Sequence, residues 1–199
     1  MTREYPVLYL ARVILETTTP LSISSGNREG VFDTLLVRDA NGLPAIPGSS
    51  LAGVLRSLFK DAPNTPDCET VFGYTDGNEG WPSRVHVSWG AIHDARDRPV
   101  EGLLLGEDTK RLKDDPLLAS VTGVSPLTRE HIRIHHRGAG DDKGKFDRTA
   151  LHSGHRFSVE ITFCSKGDAH PDASRDPALW KTLLGLFAHP GFRLGGHTR

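Results

Sequence analysis

Pro47-Gly48-Ser49-Ser50-Leu51-Ala52-Gly53-Val54-Leu55-Arg56-Ser57-Leu58-Phe59-Lys60 is the stretch on which the fold turns. Leu51, Val54, Leu55, Leu58 and Phe59 recur at i, i+3, i+4, i+7 and i+8, the apolar stripe of a helix laid on a sheet. Ser49 and Ser50 are N-cap candidates for a helix over about 51–60. Arg56 and Lys60 fall off the stripe, and the two prolines of 61–67 stop the helix.

Upstream, residues 7–16 read as a strand, being apolar, β-branched and aromatic over most of their length. A second extended run covers 32–38, a turn follows at 39–42, and Pro44 and Pro47 keep 43–47 extended. Downstream, a glycine-rich loop fills 71–82 and 84–92 alternate as a strand. Residues 107–120 read as an irregular helical insertion. Residues 131–152 are dense in Gly, Asp, Lys and His, an excursion out of the core. Phe157, Val159, Ile161 and Phe163 alternate over another strand. A helix from 177 to about 188 follows, and then the Gly195-Gly196 turn.

Strand, helix, strand, strand, helix is an α+β order, the βαββαβ ferredoxin-like (RRM-like) pattern with its last strand apparently missing. The expectation is one domain over 1–199, with insertions at about 61–83 and 96–125, an excursion at about 131–155, and a final strand supplied from elsewhere. No internal repeat is present.

The 199 residues suffice to bury roughly 70% of the unfolded chain's surface. Lys plus Arg is 24 and Asp plus Glu is 25, a formal charge of −1. That balance excludes a uniformly basic nucleic-acid-coating protein and an acidic tail protein, but not a local basic groove. Cys68 and Cys164 form no CxxC, which removes zinc ribbons and thioredoxin-type pairs and favours reduced thiols. With no signal-peptide pattern and no apolar window near ~18 residues, the expected location is cytoplasmic.

Several constellations carry chemistry. Gly48, Ser49 and Ser50 at a helix N-terminus, with Arg56 further along the same helix, can cradle a phosphate; local chemistry by itself favours an ordinary capped helix. Asp33, in an otherwise apolar run, can hold a divalent cation or orient a hydroxyl, or sit as a solvated strand-edge carboxylate. Arg129, Arg133, Arg137, Lys143, Lys145, Arg148 and Arg156 face five acids between 130 and 160, a balance that fits a polyphosphate backbone or a solvated loop. His131, His135, His136, His152 and His155 match no strong zinc spacing. The 138–145 loop fails as a phosphate loop, since its spacing is one residue too long and Phe146 replaces Ser or Thr.

The blocks Leu21-Ser-Ile-Ser-Ser-Gly26, Asp33-Thr-Leu-Leu-Val-Arg-Asp39 and Gly42-Leu-Pro-Ala-Ile-Pro-Gly-Ser-Ser-Leu-Ala-Gly-Val-Leu-Arg56 resemble the RAMP superfamily (repeat-associated mysterious proteins) of CRISPR systems. Val71-Phe-Gly73, Ile92-His93-Asp94, Leu151-His-Ser-Gly-His-Arg-Phe157 and Gly195-Gly196 resemble its later blocks in order. The chain is most similar to the backbone subunit of type III effectors. The resemblance implies a guide-RNA-binding subunit whose 131–155 excursion is a thumb hairpin that kinks the guide–target duplex. It implies that Asp33 cleaves complementary target RNA with a divalent metal ion, magnesium being the expected one. It places guide contacts at Gly48, Ser49, Ser50, Arg56, His135, His136, Arg137, Gly195, Gly196 and Arg199, and makes other RAMP-type subunits partners. Ala52 stands where the family usually has Lys, and His135-His136 where it usually has an acidic–basic pair. Two alternatives remain within the resemblance: a non-catalytic structural RAMP subunit, and a guide-processing endoribonuclease using His as general acid–base.

Overall fold

The computed structural model describes residues 7–24, 35–63, 65–122, 127–134, 140–165 and 173–195. These fall into two compact units: one drawn from Met1–Val13, Pro47–Trp89 and Val159–Leu194, the other from Ile14–Ile46, Gly90–Ser158 and Gly195–Arg199. The architecture is mixed α/β with antiparallel sheets. No described helix is long and apolar enough to cross a membrane.

Two long strands organise the sheet, β1 (Leu8–Glu16) and β8 (Arg156–Cys164). They are neighbours, and the bonds from Thr17 N–H to His155 carbonyl and from Ser165 N–H to Val7 carbonyl give them antiparallel register. In the first unit the second half of β8 pairs with β4 (Val85–Val87), setting Val85 opposite Phe163 and Val87 opposite Ile161. In the second unit the first half of β8 pairs with β5 (Ala91–Ile92). The single strand expected over 84–92 is therefore split at Ser88-Trp89-Gly90. Gly90 instead exchanges backbone hydrogen bonds with Ile46.

Helix α1 covers Gly48–Asp61 and buries Gly48, Leu51, Leu55 and Phe59; of the expected stripe, Leu51, Leu55 and Phe59 are buried and Val54 and Leu58 half-buried. Its start corrects the capping expectation. Pro47 is the N-cap, and no side chain caps the helix. The extended Pro47 already turns its carbonyl toward the Ser50 and Leu51 N–H groups. Ser49 and Ser50 thus become first-turn residues. Helix α2 (Cys68–Phe72) is capped instead by Asp67, whose carboxylate accepts from Glu69 N–H. Between α2 and β4 a short hairpin pairs β2 (Tyr74–Asp76) with β3 (Glu79–Trp81), where the sequence reads as a plain loop.

In the first unit, Leu55 and Phe59 of α1, Val71 and Phe72 of α2, Ile161 and Phe163 of β8, and Leu183 of α5 (Asp176–Gly185) form one cluster. Tyr9, Phe163 and Trp180 add a ring cluster with centroids 5.8–6.4 Å apart. Such large rings supply much of a core's burial energy. The second unit buries, among others, Leu21, Ile23, Leu36, Leu43, Ile46, Ile92, Leu118 and Leu151. Its 106–122 stretch is a 3₁₀ turn followed by α3 (Arg111–Asp114) and α4 (Pro116–Thr122), the irregular helical insertion expected from sequence. The extended run expected over 32–38 survives within the described residues as isolated bridges, Ser24 with Leu36 and Arg38 with Pro44.

Candidate nucleic-acid interface

Gly48, Ser49, Ser50 and Arg56 come together on α1. Ser49 is exposed and Ser50 and Arg56 half-buried. The Pro47 carbonyl takes the Ser50 and Leu51 N–H groups at 3.0 and 3.3 Å. The earliest N–H groups of a helix have no intrahelical acceptor, which is the feature that attracts phosphate oxygens. Gly48 permits the close approach that builds this end: a Cβ there would lie 2.1 Å from the Val87 carbonyl oxygen.

In the second unit the predicted excursion is a long hairpin, β6 (Leu127–Ile134) on β7 (Gly140–Ala150). Pairing runs from Leu127 with Ala150 to Ile132 with Lys145, and shifts before Ile134 meets Gly140. Ile132 and Ile134 stay 59% and 62% exposed, so the hairpin presents apolar side chains to whatever it meets. Lys145 Nζ lies 3.1 Å from Glu130 across the ladder.

The base of this hairpin grips the chain on either side of 25–34. Leu21 and Leu151 exchange backbone hydrogen bonds at 2.9 and 2.7 Å. Ser22 Oγ donates to the Thr149 carbonyl, and Leu36 N–H donates to Thr149 Oγ1, each at 2.8 Å. Asp33 itself, with His135, His136, Arg137, Gly196 and Arg199, lies outside the described residues. Gly195 adopts φ +96°, the left-handed conformation a glycine turn uses. Among the described residues no group of three or more His, Cys, Asp or Glu is placed to hold a metal ion. Burial, and then His152, push the His155 imidazole below its usual pKa.

Sequence reasoning missed the polar network of the 93–98 turn. Asp94, 1% exposed, accepts from the Arg96 and Arg98 N–H groups through Oδ1 and from the Arg98 and Arg111 guanidiniums through Oδ2. His93 joins Ser158 Oγ to Asp97, each at 2.8 Å from a ring nitrogen. Asp97 holds φ +59°, and the Arg156 guanidinium bridges it to Glu16. The signal was present in His93-Asp94-Ala95-Arg96-Asp97-Arg98, a turn whose alternating charges lie two and four residues apart.

Burial alone would raise the Asp94 carboxyl. The Arg98 N–H and the Arg111 and Arg98 guanidiniums outweigh it and hold the group well below the carboxylate range. A depressed folded value contributes stability above the ordinary carboxylate pKa of about 4, and that contribution drains away as pH falls below it. Urea midpoints measured from pH 6 down to pH 2 should therefore fall more steeply for the wild type than for Asp94→Asn. Parallel slopes below pH 4 would refute the assignment.

The sequence matches the RAMP superfamily over residues 14–199. No curated protein matches it. Among solved structures, a chain of the type III-B Cmr-β complex in its apo state aligns at TM-score 0.58 and 14% identity, covering 87% of this chain and 89% of that one. A chain of the Cmr-β complex bound to cognate target RNA aligns at 0.50 and 15%, covering 86% and 50%. A chain of a type IV-B CRISPR complex aligns at 0.53 and 16%, covering 96% and 84%. At such identities the likeness is one of fold, whereas the family match spans nearly the whole chain, and on that match the protein belongs to the RAMP superfamily.

Proposed function

We propose that this chain is a backbone subunit of an RNA-guided CRISPR effector, one that binds guide RNA and cuts the paired target RNA at Asp33. In this reading the sheet and its two main helices are the ferredoxin-like core, and other RAMP-type subunits flank the chain in a cytoplasmic ribonucleoprotein. The observation that carries the proposal is the hairpin base. Thr149 and Leu151 hold Ser22, Leu21 and Leu36, so the chain enters and leaves the Asp33 segment beside a projecting hairpin with an apolar edge. A subunit that wedges a guide–target duplex and cuts it nearby needs those two features close in the chain's path.

Guide binding falls to backbone and shape contacts, with the α1 N-terminus taking a phosphate and no base being read. Asp33 would orient a ribose 2′-hydroxyl toward the adjacent phosphate. The P–O5′ bond breaks as the new P–O2′ bond forms, the 2′-hydroxyl proton passes to solvent, the departing O5′ takes a proton from solvent, and a cyclic phosphate and a 5′-hydroxyl result. A single carboxylate does not itself make a metal cage. Magnesium in such sites is held by one or two carboxylates together with substrate phosphate oxygens, and it would supply charge neutralisation at the reacting phosphate.

The test is an assay with guide RNA, complementary target and repeat RNA, with and without EDTA. Target cutting that EDTA stops, and that Asp33→Ala lowers by at least about 100-fold with guide affinity unchanged, is the expected result. Full-rate cutting by Asp33→Ala sinks the catalytic assignment. Guide binding without cutting identifies a structural subunit, and metal-independent cutting of repeat RNA identifies a guide-processing enzyme.

A further inference from the structure

Beside the 93–98 turn, and within the second unit, lies a cavity of about 290 Å³ lined by Asp94, Arg96, Arg98, Arg111, Asp114 and Asp115 among others. Its formal charges balance, so charge alone does not name an occupant. The hydrogen bonding does. Both Asp94 oxygens are filled by the donors described above. Asp115 is largely engaged as well, since Oδ2 accepts from Ala95 N–H at 2.9 Å and Oδ1 from the Leu117 and Leu118 N–H groups at 3.0 Å. Asp94 has therefore spent its acceptor capacity within the protein, and Asp115 most of its own.

The donors are in surplus. A guanidinium carries five N–H groups, and Arg98 and Arg111 direct only part of theirs at Asp94. The buried Arg111 Nε has no acceptor. The Arg96 side chain is exposed, and its residue bonds to Asp94 through its backbone N–H alone. Two of the three arginines, Arg98 and Arg111, are also pre-positioned. Asp94, itself almost wholly buried, clamps Arg98 and Arg111 from behind, and the His93–Ser158 bond pins the turn that carries them. Rigid guanidinium forks with open N–H groups match tetrahedral oxyanions.

We propose that this cavity is a phosphate-binding site, with Arg96 and Arg111 donating to the phosphate oxygens and Arg98 and Asp94 setting their geometry. The occupant is a phosphodiester of an RNA strand or a phosphomonoester, whether free or at a nucleotide's end. The site goes beyond the guide-RNA reading, because it stands on the chemistry of the cavity and inorganic phosphate is itself a probe for it. Asp114 is the one lining carboxylate with no hydrogen bond or ion pair among the described residues, so it should oppose the ligand.

The full chain is titrated with inorganic phosphate, AMP, and a ten-nucleotide single-stranded RNA with and without a 5′-phosphate, at several salt concentrations. Arg96→Glu, whose side chain packs against nothing that folding needs, should weaken binding about tenfold or more and lower the salt slope for RNA by about one. Asp114→Asn should tighten binding about twofold, and Lys181→Glu on α5 should leave it unchanged. Competition between RNA and both phosphate and AMP marks a monoester site. RNA binding that Arg96→Glu weakens and neither small anion displaces marks a phosphodiester site. Both outcomes support the proposal. It is overturned if the wild type binds none of the probes, or if Arg96→Glu binds them all as the wild type does. The latter result, with guide binding retained, would leave the guide-RNA reading standing.

Discussion

Asp176→Ala should lower the unfolding free energy by about 3–5 kcal/mol, a large share of the roughly 5–15 kcal/mol available to a domain. The pair it breaks is the most deeply buried ion pair among the described residues of the first unit: Arg84 and Asp176 side chains are 6% and 1% exposed and meet at 2.7 Å. Arg84 Nε also donates to the Cys164 carbonyl at 2.8 Å, its guanidinium lies 4.4 Å over the Phe163 ring, and Ser165 Oγ donates to Asp176 at 2.9 Å. The network thus ties the residue before β4, the end of β8 and the first turn of α5. Removing Asp176 leaves a guanidinium in a low-dielectric site with half its partners gone. The loss is the desolvation of that stranded charge more than the worth of the pair itself. Two further results follow from that physics. Arg84→Met with Asp176→Leu should recover most of the loss, because no unpaired charge remains. Raising salt from 0.05 to 0.5 M should change the single-mutant deficit little, because buried charges are weakly screened. A deficit below about 1 kcal/mol in urea denaturation would show the pair to be solvated.

The fates of the sequence expectations divide by the kind of interaction that decides them. The α1 stripe and the β8 alternation were legible because burial period sets them locally, and Leu51, Leu55, Phe59, Phe157, Ile161 and Phe163 are all buried. The capping assignment failed because it hung on two or three residues of register. Pro47 takes the boundary, and Ser49 and Ser50 cannot cap a helix they are already inside. The hairpin over 74–81 was missed although Asp76-Gly77 marks a tight turn, because strands of three residues carry no period to read. Polar networks are least legible of all. Arg84 with Asp176, and Asp94 with Arg111, lie 92 and 17 residues apart in sequence. Nothing in the local pattern of either segment announces the partner. Of the candidate site, the helix N-terminus and the hairpin could be read from sequence, whereas the arginine-lined cavity required the fold.

Gly48→Ala and Gly53→Ala should move stability in opposite directions, although they make the same chemical change on one helix. At Gly53 an added methyl meets nothing within 4 Å. Alanine there removes backbone freedom from the unfolded chain and should stabilise by about 0.5–1 kcal/mol. At Gly48 the methyl would sit 2.1 Å from the Val87 carbonyl oxygen and 2.9 Å from that of Ser88. Neither oxygen can yield cheaply. Val87 is paired with Ile161, and Ser88 and Glu160 exchange hydrogen bonds at 2.8 Å. The helix must give instead, moving by more than an ångström and prising Leu51 and Leu55 from their buried positions. Overpacking against fixed backbone sits at the upper end of its usual range, so a loss of about 3 kcal/mol or more is expected. The displaced first turn also carries Ser49 and the open N–H groups. Where Gly48→Ala still folds, its guide-RNA affinity should fall by tenfold or more while Gly53→Ala binds as the wild type does. Urea midpoints and binding isotherms on the two variants separate the outcomes. Equal stability for both would mean that α1 does not press on β4 as the geometry requires. A destabilised Gly48→Ala with undiminished RNA affinity would take the α1 N-terminus out of the interface.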